Sequence, residues 1–559
     1  MLRVVTSSSA TARRTAAALF LAERDPAAEV LLVGASRGAA DDFVRSVAQR
    51  VGATFGITRF SLTELAARAA AVAMAGAGRA PSTQAAGEAV AARVAFDAVA
   101  AGQLRYFLPV VGMPGFSRAL ARTVHELRLA VVPAGRLAAH EGSSSEVGCL
   151  LERVEADLNR FGLDDRAALF RLAASEWAAG RVRWRGLPLI LLDVPLDARA
   201  ERDLVEALVA GATDTIATVP ADDRRTLHSW ATIGAVIDVV PDDAPHASDL
   251  AHLRRYIFAT ERPPLRSRAG DVALFSAPGE GREAVEIVRR VLDEARRGVP
   301  FDEMAVFVRT PQQYLGLLEH ACSRGGVPVF FERGTRRPDP AGRAFVALVS
   351  CAVEGLSAKR FDEYLSLGQV PRLGSPHRPA AAPPRDEMFA ELLVAPSDDA
   401  PESAVLEPPA VDTDEDAIVA GTLRAPWKWE ELIVESAVVG GRTRQEGKAR
   451  WRRRLDGLAE DYRLRIGELL REEPDSARVR AYERDLRNLA HLRAFALPVI
   501  DELAEWPDRA MWGEWLDRFS ALAVRCLSRP ERVLQTLAAY RPMSEVGPVS
   551  LEEAGDALK

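Results

Sequence analysis

Residues 273–345 read ALFSAPGEGREAVEIVRRVLDEARRGVPFDEMAVFVRTPQQYLGLLEHACSRGGVPVFFERGTRRPDPAGRAF, and the periodicity of this stretch decides the fold class. Val272 to Ser276 is a short apolar run closed by Pro278 and two glycines. From Arg282 to Arg296, apolar residues recur at Ala284, Ile287, Val288, Val291, Leu292 and Ala295, the spacing of a helix with one stripe against a sheet. Gly298 stands where a helix C-cap would, and Pro300 prevents re-entry. Met304 to Val308 is a continuous apolar run, as expected of a strand covered on both faces. Tyr314 to Cys322 carries the next helical stripe and Val327 to Phe331 the next strand. The spacing predicts two successive β–α–β crossovers, hence a parallel, doubly wound sheet.

The beginning of the chain repeats this pattern. Leu2 to Val5 is predicted as a strand, Thr6 to Ser9 as a small-residue turn and Ala10 to Ala22 as a helix. A second strand (Val30 to Val33), a second helix (Ala39 to Val51) and a third strand (Phe55 to Thr58) follow. The helix after them has Ser61 as its cap with Glu64 three residues on. Residues 65–185 are helix-rich. Apolar strand runs return at Leu187 to Asp193 and Thr215 to Asp223, so the helical segment reads as an insertion within one α/β domain. Residues 372–423 are rich in Pro, Ala and acids and are predicted to form a mobile linker or long surface loop. From Trp427 the pattern is helical again.

Composition bounds the rest. A chain of 559 residues holds several domains, and 48% hydrophobic residues suffice for large cores. A net charge of −7 excludes a uniformly basic nucleic-acid binder while leaving room for a local basic surface. Cys149, Cys322, Cys351 and Cys526 have no metal-site spacing, which fits a reducing cytosol without a disulfide framework. No run of eighteen apolar residues is present, so no membrane span is expected. At the N-terminus the apolar strand precedes the arginines, the reverse of a signal peptide, and the expected location is cytoplasmic.

Two stretches bear on chemistry. The strand–turn–helix at the N-terminus is where a phosphate-binding loop sits, built from glycines, a Lys and a hydroxyl that holds magnesium. In the aligned stretch Ser7-Ser8-Ser9-Ala10-Thr11-Ala12-Arg13-Arg14 both glycines are gone, Arg13 stands in the Lys position, and Thr15 brings a hydroxyl one position late. A polar turn capping a helix is the favoured reading, and ATP with magnesium is expected only if this degenerate loop functions. Asp193 ends an apolar strand as a magnesium-site carboxylate does, but Val194 and Pro195 follow where an active helicase has its general base. Asp193 is therefore expected to cap a strand end or the next helix. Farther on, Lys448, Arg450, Arg452, Arg453 and Arg454 surround Trp451. Such a cluster serves phosphate contact with aromatic stacking, or forms a solvated face paired with Asp456, Glu460 and Asp461. His125 lies on an amphipathic helix with no nucleophile motif nearby and is expected to be structural.

The run REAVEIVRRVLDEARRGVPFDEMAVFVRTPQQYLGLLEHACSRGGVPVFFERG resembles the second RecA-like domain of UvrD-type helicases, and more closely that of AddB-type subunits of bacterial helicase–nucleases. RPDPAGRAFVALV and SAVVGGRTRQEGKARWRRRLDGL resemble later parts of the same family. The resemblance implies two RecA-like parallel-sheet domains, the second incomplete, with large helical insertions. Residues 1–60 and 186–265 would form domain 1A, 61–185 insertion 1B, 266–355 the first half of domain 2A and 356–545 insertion 2B, with 546–559 starting a truncated element. It implies DNA ends or single strands as ligand, an AddA-type motor as partner, and a role in break repair. No match to the family's PD-(D/E)XK nuclease domain or its iron–sulfur cysteines is present, so no catalytic or metal-binding residue is assigned. The expectation is an ATPase-inactive subunit or fragment, with an atypical nucleotidase or a protein-interaction scaffold as the alternatives.

Overall fold

The computed structural model describes residues 2–113, 115–241, 248–257, 260–331, 339–372, 416–419, 421–472 and 476–558. Its organising element is a six-stranded, wholly parallel sheet. The strands are β1 (Leu2–Ser7), β2 (Val30–Gly34), β3 (Ile57–Ser61), β4 (Leu189–Leu192), β5 (Thr215–Pro220) and β6 (Val236–Val239), in the order β3-β2-β4-β5-β1-β6. The near-continuous apolar runs are explained by burial of alternate residues on opposite faces. Leu31, Val33, Leu189, Leu191, Ala217 and Val219 face the helices Leu62–Gly76, Arg166–Ala178 and Arg199–Gly211. Val30, Leu32, Ile190, Leu192 and Ile216 face the helices Ala10–Ala22 and Arg37–Val51. Helices between β3 and β4 form the insertion. Ser61 caps the first of them, accepting the Glu64 N–H at 3.2 Å, but the Glu64 carboxylate turns to Arg37 and does not close a capping box.

The stretch at 273–345 folds only in part as expected. Its two helices form, as Glu280–Arg296 and Pro311–Gly325, and pack through Ala284, Val288, Leu318, Ala321 and Cys322. The three strands do not. Residues 272–276, 304–308 and 327–331 join no sheet among the described residues. Val308, Val327 and Phe331 lean on the helix pair, while Leu274, Phe307 and Phe330 are 100%, 94% and 69% exposed. Apolar periodicity measures what a segment can bury; a strand exists only through ladder partners, and these runs have none here. Phe307→Ser should therefore change the unfolding free energy by less than about 0.5 kcal/mol. A thermal-melt loss of about 2 kcal/mol or more would mean that Phe307 is packed.

The remaining helices build a second body around one large core. The antiparallel pair Arg444–Glu472 and Ala477–Ala504 is its longest feature. The start of this pair is seated by glycines: a Cβ on Gly441 would lie 2.3 Å from the Gly447 nitrogen, and one on Gly447 would lie 2.3 Å from the Gly355 oxygen. Only glycine allows backbones this close. Most of the Pro- and acid-rich segment at 372–423 lies outside the described residues. Its end forms a small hairpin, Ile418–Val419 with Thr422–Leu423, anchored by the Ala417 N–H donating to Asn488 at 2.9 Å. Residues expected to open a new element instead fold back: Val549–Ser550 pairs with Arg509–Ala510, and Leu551 and Ala554 enter the core.

Candidate functional site

In open α/β sheets, ligands bind beyond the carboxyl ends of the strands, where the strand order reverses. Here that place lies over β1, β5 and β4. β1 ends at Ser7, the turn after it carries Ser8 and Ser9, and Ser9 caps the following helix by accepting the Ala12 N–H at 3.3 Å. One turn into that helix, Arg13 points back over the sheet. Its Nε and Nη2 donate to the two oxygens of Asp193, each at 2.9 Å, and its Nη1 donates to the Ser7 carbonyl at 2.6 Å. Asp193 is held from the far side by Thr218, whose hydroxyl donates to Oδ1 at 2.7 Å and accepts the Asp193 N–H at 3.0 Å.

This is a closed network. Arg13 is 6% exposed, Ser7 and Thr218 1%. A planar guanidinium fits a carboxylate through two parallel hydrogen bonds, a geometry Lys cannot make. Asp193 adopts a left-handed backbone, φ +51°, which Asp tolerates better than most residues. The turn aims its carboxylate at Arg13. Asp193 stands directly at the end of β4, its N–H reaching the Thr218 carbonyl at 3.1 Å, and its carboxylate neutralises Arg13. Thr15, one position late, is exposed on the helix surface and faces away from the pair. Ser8 is exposed as well. The residue types in the magnesium and phosphate positions thus saturate each other. The sequence offered each half separately, an Arg in the loop-Lys position and an Asp at the end of an apolar strand; the strand order brings the two charges together.

The basic cluster at 448–454 comes apart on its helix. Trp451 is fully buried, its indole N–H donating to the Leu356 carbonyl at 2.8 Å and its ring edge-on to Phe361. It offers no face for stacking on a base, which corrects that expectation: at helical spacing Trp451 shares the core stripe with Leu455 and Leu458. Lys448 pairs with Glu505 at 2.8 Å, Arg450 with Glu446, and Arg452 with Asp501. The expected acidic partners are engaged elsewhere, Asp456 with Arg493, Glu460 with Arg463 and Asp461 with Arg465. Arg453 and Arg454 are exposed and form no ion pair among the described residues.

Within the insertion, burial pushes the half-buried His125 imidazole below its ordinary value, outweighing the pull of nearby Asp165. A cavity of about 260 Å³ in the same insertion is lined by Arg79, Arg128, Glu155, Asn159, Asp164 and Arg171. Its charges largely cancel, Arg79 against Asp164 and Arg128 against Glu155 and Asp165. Among the described residues no group of three or more His, Cys, Asp or Glu side chains could hold a metal ion, and no helix is long and apolar enough to cross a membrane.

No family model matches the chain. Over 127 residues it is 28% identical to one subunit of the ATP-dependent helicase/deoxyribonuclease of Pelotomaculum thermopropionicum. That segment is 22% of this chain and 11% of the relative, so the similarity spans about a ninth of the relative's length.

Proposed function

We propose that this chain is an ATPase-inactive, helicase-like subunit, or part of one, of a helicase–nuclease that processes DNA double-strand ends, acting as a DNA-binding and partner-binding scaffold. The reading carries over the activity named for the Pelotomaculum protein and the resemblance to AddB-type subunits, in which a second, AddA-type chain supplies the motor. The observation that carries it is the Arg13–Asp193 pair, because a nucleotide phosphate and its magnesium would compete for the same two side chains. In this reading the sheet unit is a RecA-like domain kept for shape, the helical region at 356–545 corresponds to the family's second insertion, and no ATP or metal is required. The setting would be the bacterial cytoplasm, on DNA.

Arg453 and Arg454 are the surviving members of the proposed DNA contact. Fluorescence anisotropy with duplex ends and single strands tests it, because phosphate contacts make affinity fall steeply with salt. Arg453→Ala/Arg454→Ala should weaken binding at low salt and reduce the slope of log K against log salt by about 2 units for duplex DNA. ATP should not change the wild-type affinity. An absence of binding at low salt would leave the protein-interaction scaffold, which the internal pairing of Lys448, Arg450 and Arg452 favours.

A further inference from the structure

The insertion of the sheet unit and the helical body meet at one seat. The helix Gln84–Ala100 presents Ala89, Ala92 and Arg93 to the turn Arg541–Met543. Ala89 is fully buried although it belongs to the insertion, because its packing partners belong to the helical body. Arg93, 7% exposed, donates to the Pro542 carbonyl at 3.3 Å and pairs with Glu545 across the seat. Away from this seat, the chain between the two units is strung out: Leu265 and Leu274 are 103% and 100% exposed.

The charges at the seat are distributed unevenly. Arg93 also lies 3.5 Å from Asp97 and 3.7 Å from Asp157, both on its own unit. Its guanidinium additionally sits over the Phe161 ring at 5.8 Å. Glu545, by contrast, keeps a side chain 66% exposed. If the seat separates, Arg93 retains two carboxylates and an aromatic face, and Glu545 passes into water it already touches. Neither side is left with an uncompensated buried charge, the feature that makes most buried ion pairs costly to break. The rest of the contact is alanines against this turn and the helix Glu531–Ala539 that precedes it, with Glu88 and Arg118 beside Tyr540.

We propose that the Arg93–Glu545 contact is a releasable latch, so that the sheet unit and the helical body alternate between the closed arrangement and one in which the seat is open. Salt screening favours the open form, and so does loss of the Glu545 charge. The latch is independent of whether the chain binds DNA.

The test is pulsed electron–electron distance measurement between spin labels at Val72→Cys and Val434→Cys, exposed sites on the two units, in a Cys149→Ser background. The closed form gives one main distance at low salt. Glu545→Lys should add a longer, broader distance, raising its population about two- to fivefold, the range for a pair of which one partner is exposed and the other keeps Asp97 and Asp157. Because Glu545 is exposed, this variant should fold normally. Ala89→Arg, which forces bulk into the seat, should make the longer distance dominant and so marks the open form. A Glu545→Lys distribution unchanged from that of the parent, at both low and high salt, would overturn the proposal, whichever form Ala89→Arg adopts.

Discussion

Arg13→Ala is expected to lower the stability of the sheet unit by about 3 kcal/mol, because it leaves the Asp193 carboxylate partly buried without its partner. For a unit of this size that is a fall of about 6–12 °C in Tm. Asp193→Ala should cost a similar amount by stranding a nine-tenths-buried guanidinium. The double variant should be more stable than the sum of the two losses allows, since neither charge is then left alone. A double-mutant cycle by thermal or urea denaturation measures that coupling. Arg13→Lys is a sharper probe. It keeps the charge but loses the bidentate fork and the third hydrogen bond to Ser7, and should recover only part of the loss. Near-zero coupling would mean that the pair seen here does not organise the sheet edge.

The second large effect is at Trp451. Removing a fully buried indole opens a cavity and strands the Leu356 carbonyl, so Trp451→Ala should cost about 3–5 kcal/mol in the helical body. Trp451→Phe should recover much of the packing and none of the hydrogen bond. Arg453→Ala and Arg454→Ala, on the same turn, should each change stability by less than about 0.5 kcal/mol. Denaturant melts check both halves. A Trp451→Ala protein with wild-type stability and weakened DNA binding would return this residue to the surface role that its charged neighbours suggest.

The N-terminal sheet was readable because its signals agree. β1 and β2 are apolar on consecutive residues, the helices after β1, β2 and β3 each have a Ser cap at the right offset, and the strand–turn–helix order repeats. The exposed runs at 272–276, 304–308 and 327–331 carry the same local pattern without becoming strands, since pairing depends on partners that no local window contains. Trp451 misled for a related reason. Five of its near neighbours are Arg or Lys, yet the residues one and two turns on, Leu455 and Leu458, place it on the core stripe. At the candidate site, Arg13 and Asp193 were each singled out, but 180 positions separate them and each was given a separate role. Their pairing follows only from the strand order, which sets the end of β4 one strand away from β1 across β5.

That pairing is the central claim, and calorimetric titration of magnesium–ATP into the wild-type chain tests it most directly. With Arg13 and Asp193 saturating each other, no binding heat should appear at nucleotide concentrations up to the millimolar range. Saturable binding in the micromolar range, lost in Arg13→Ala, would contradict it and identify the loop as a working nucleotide site.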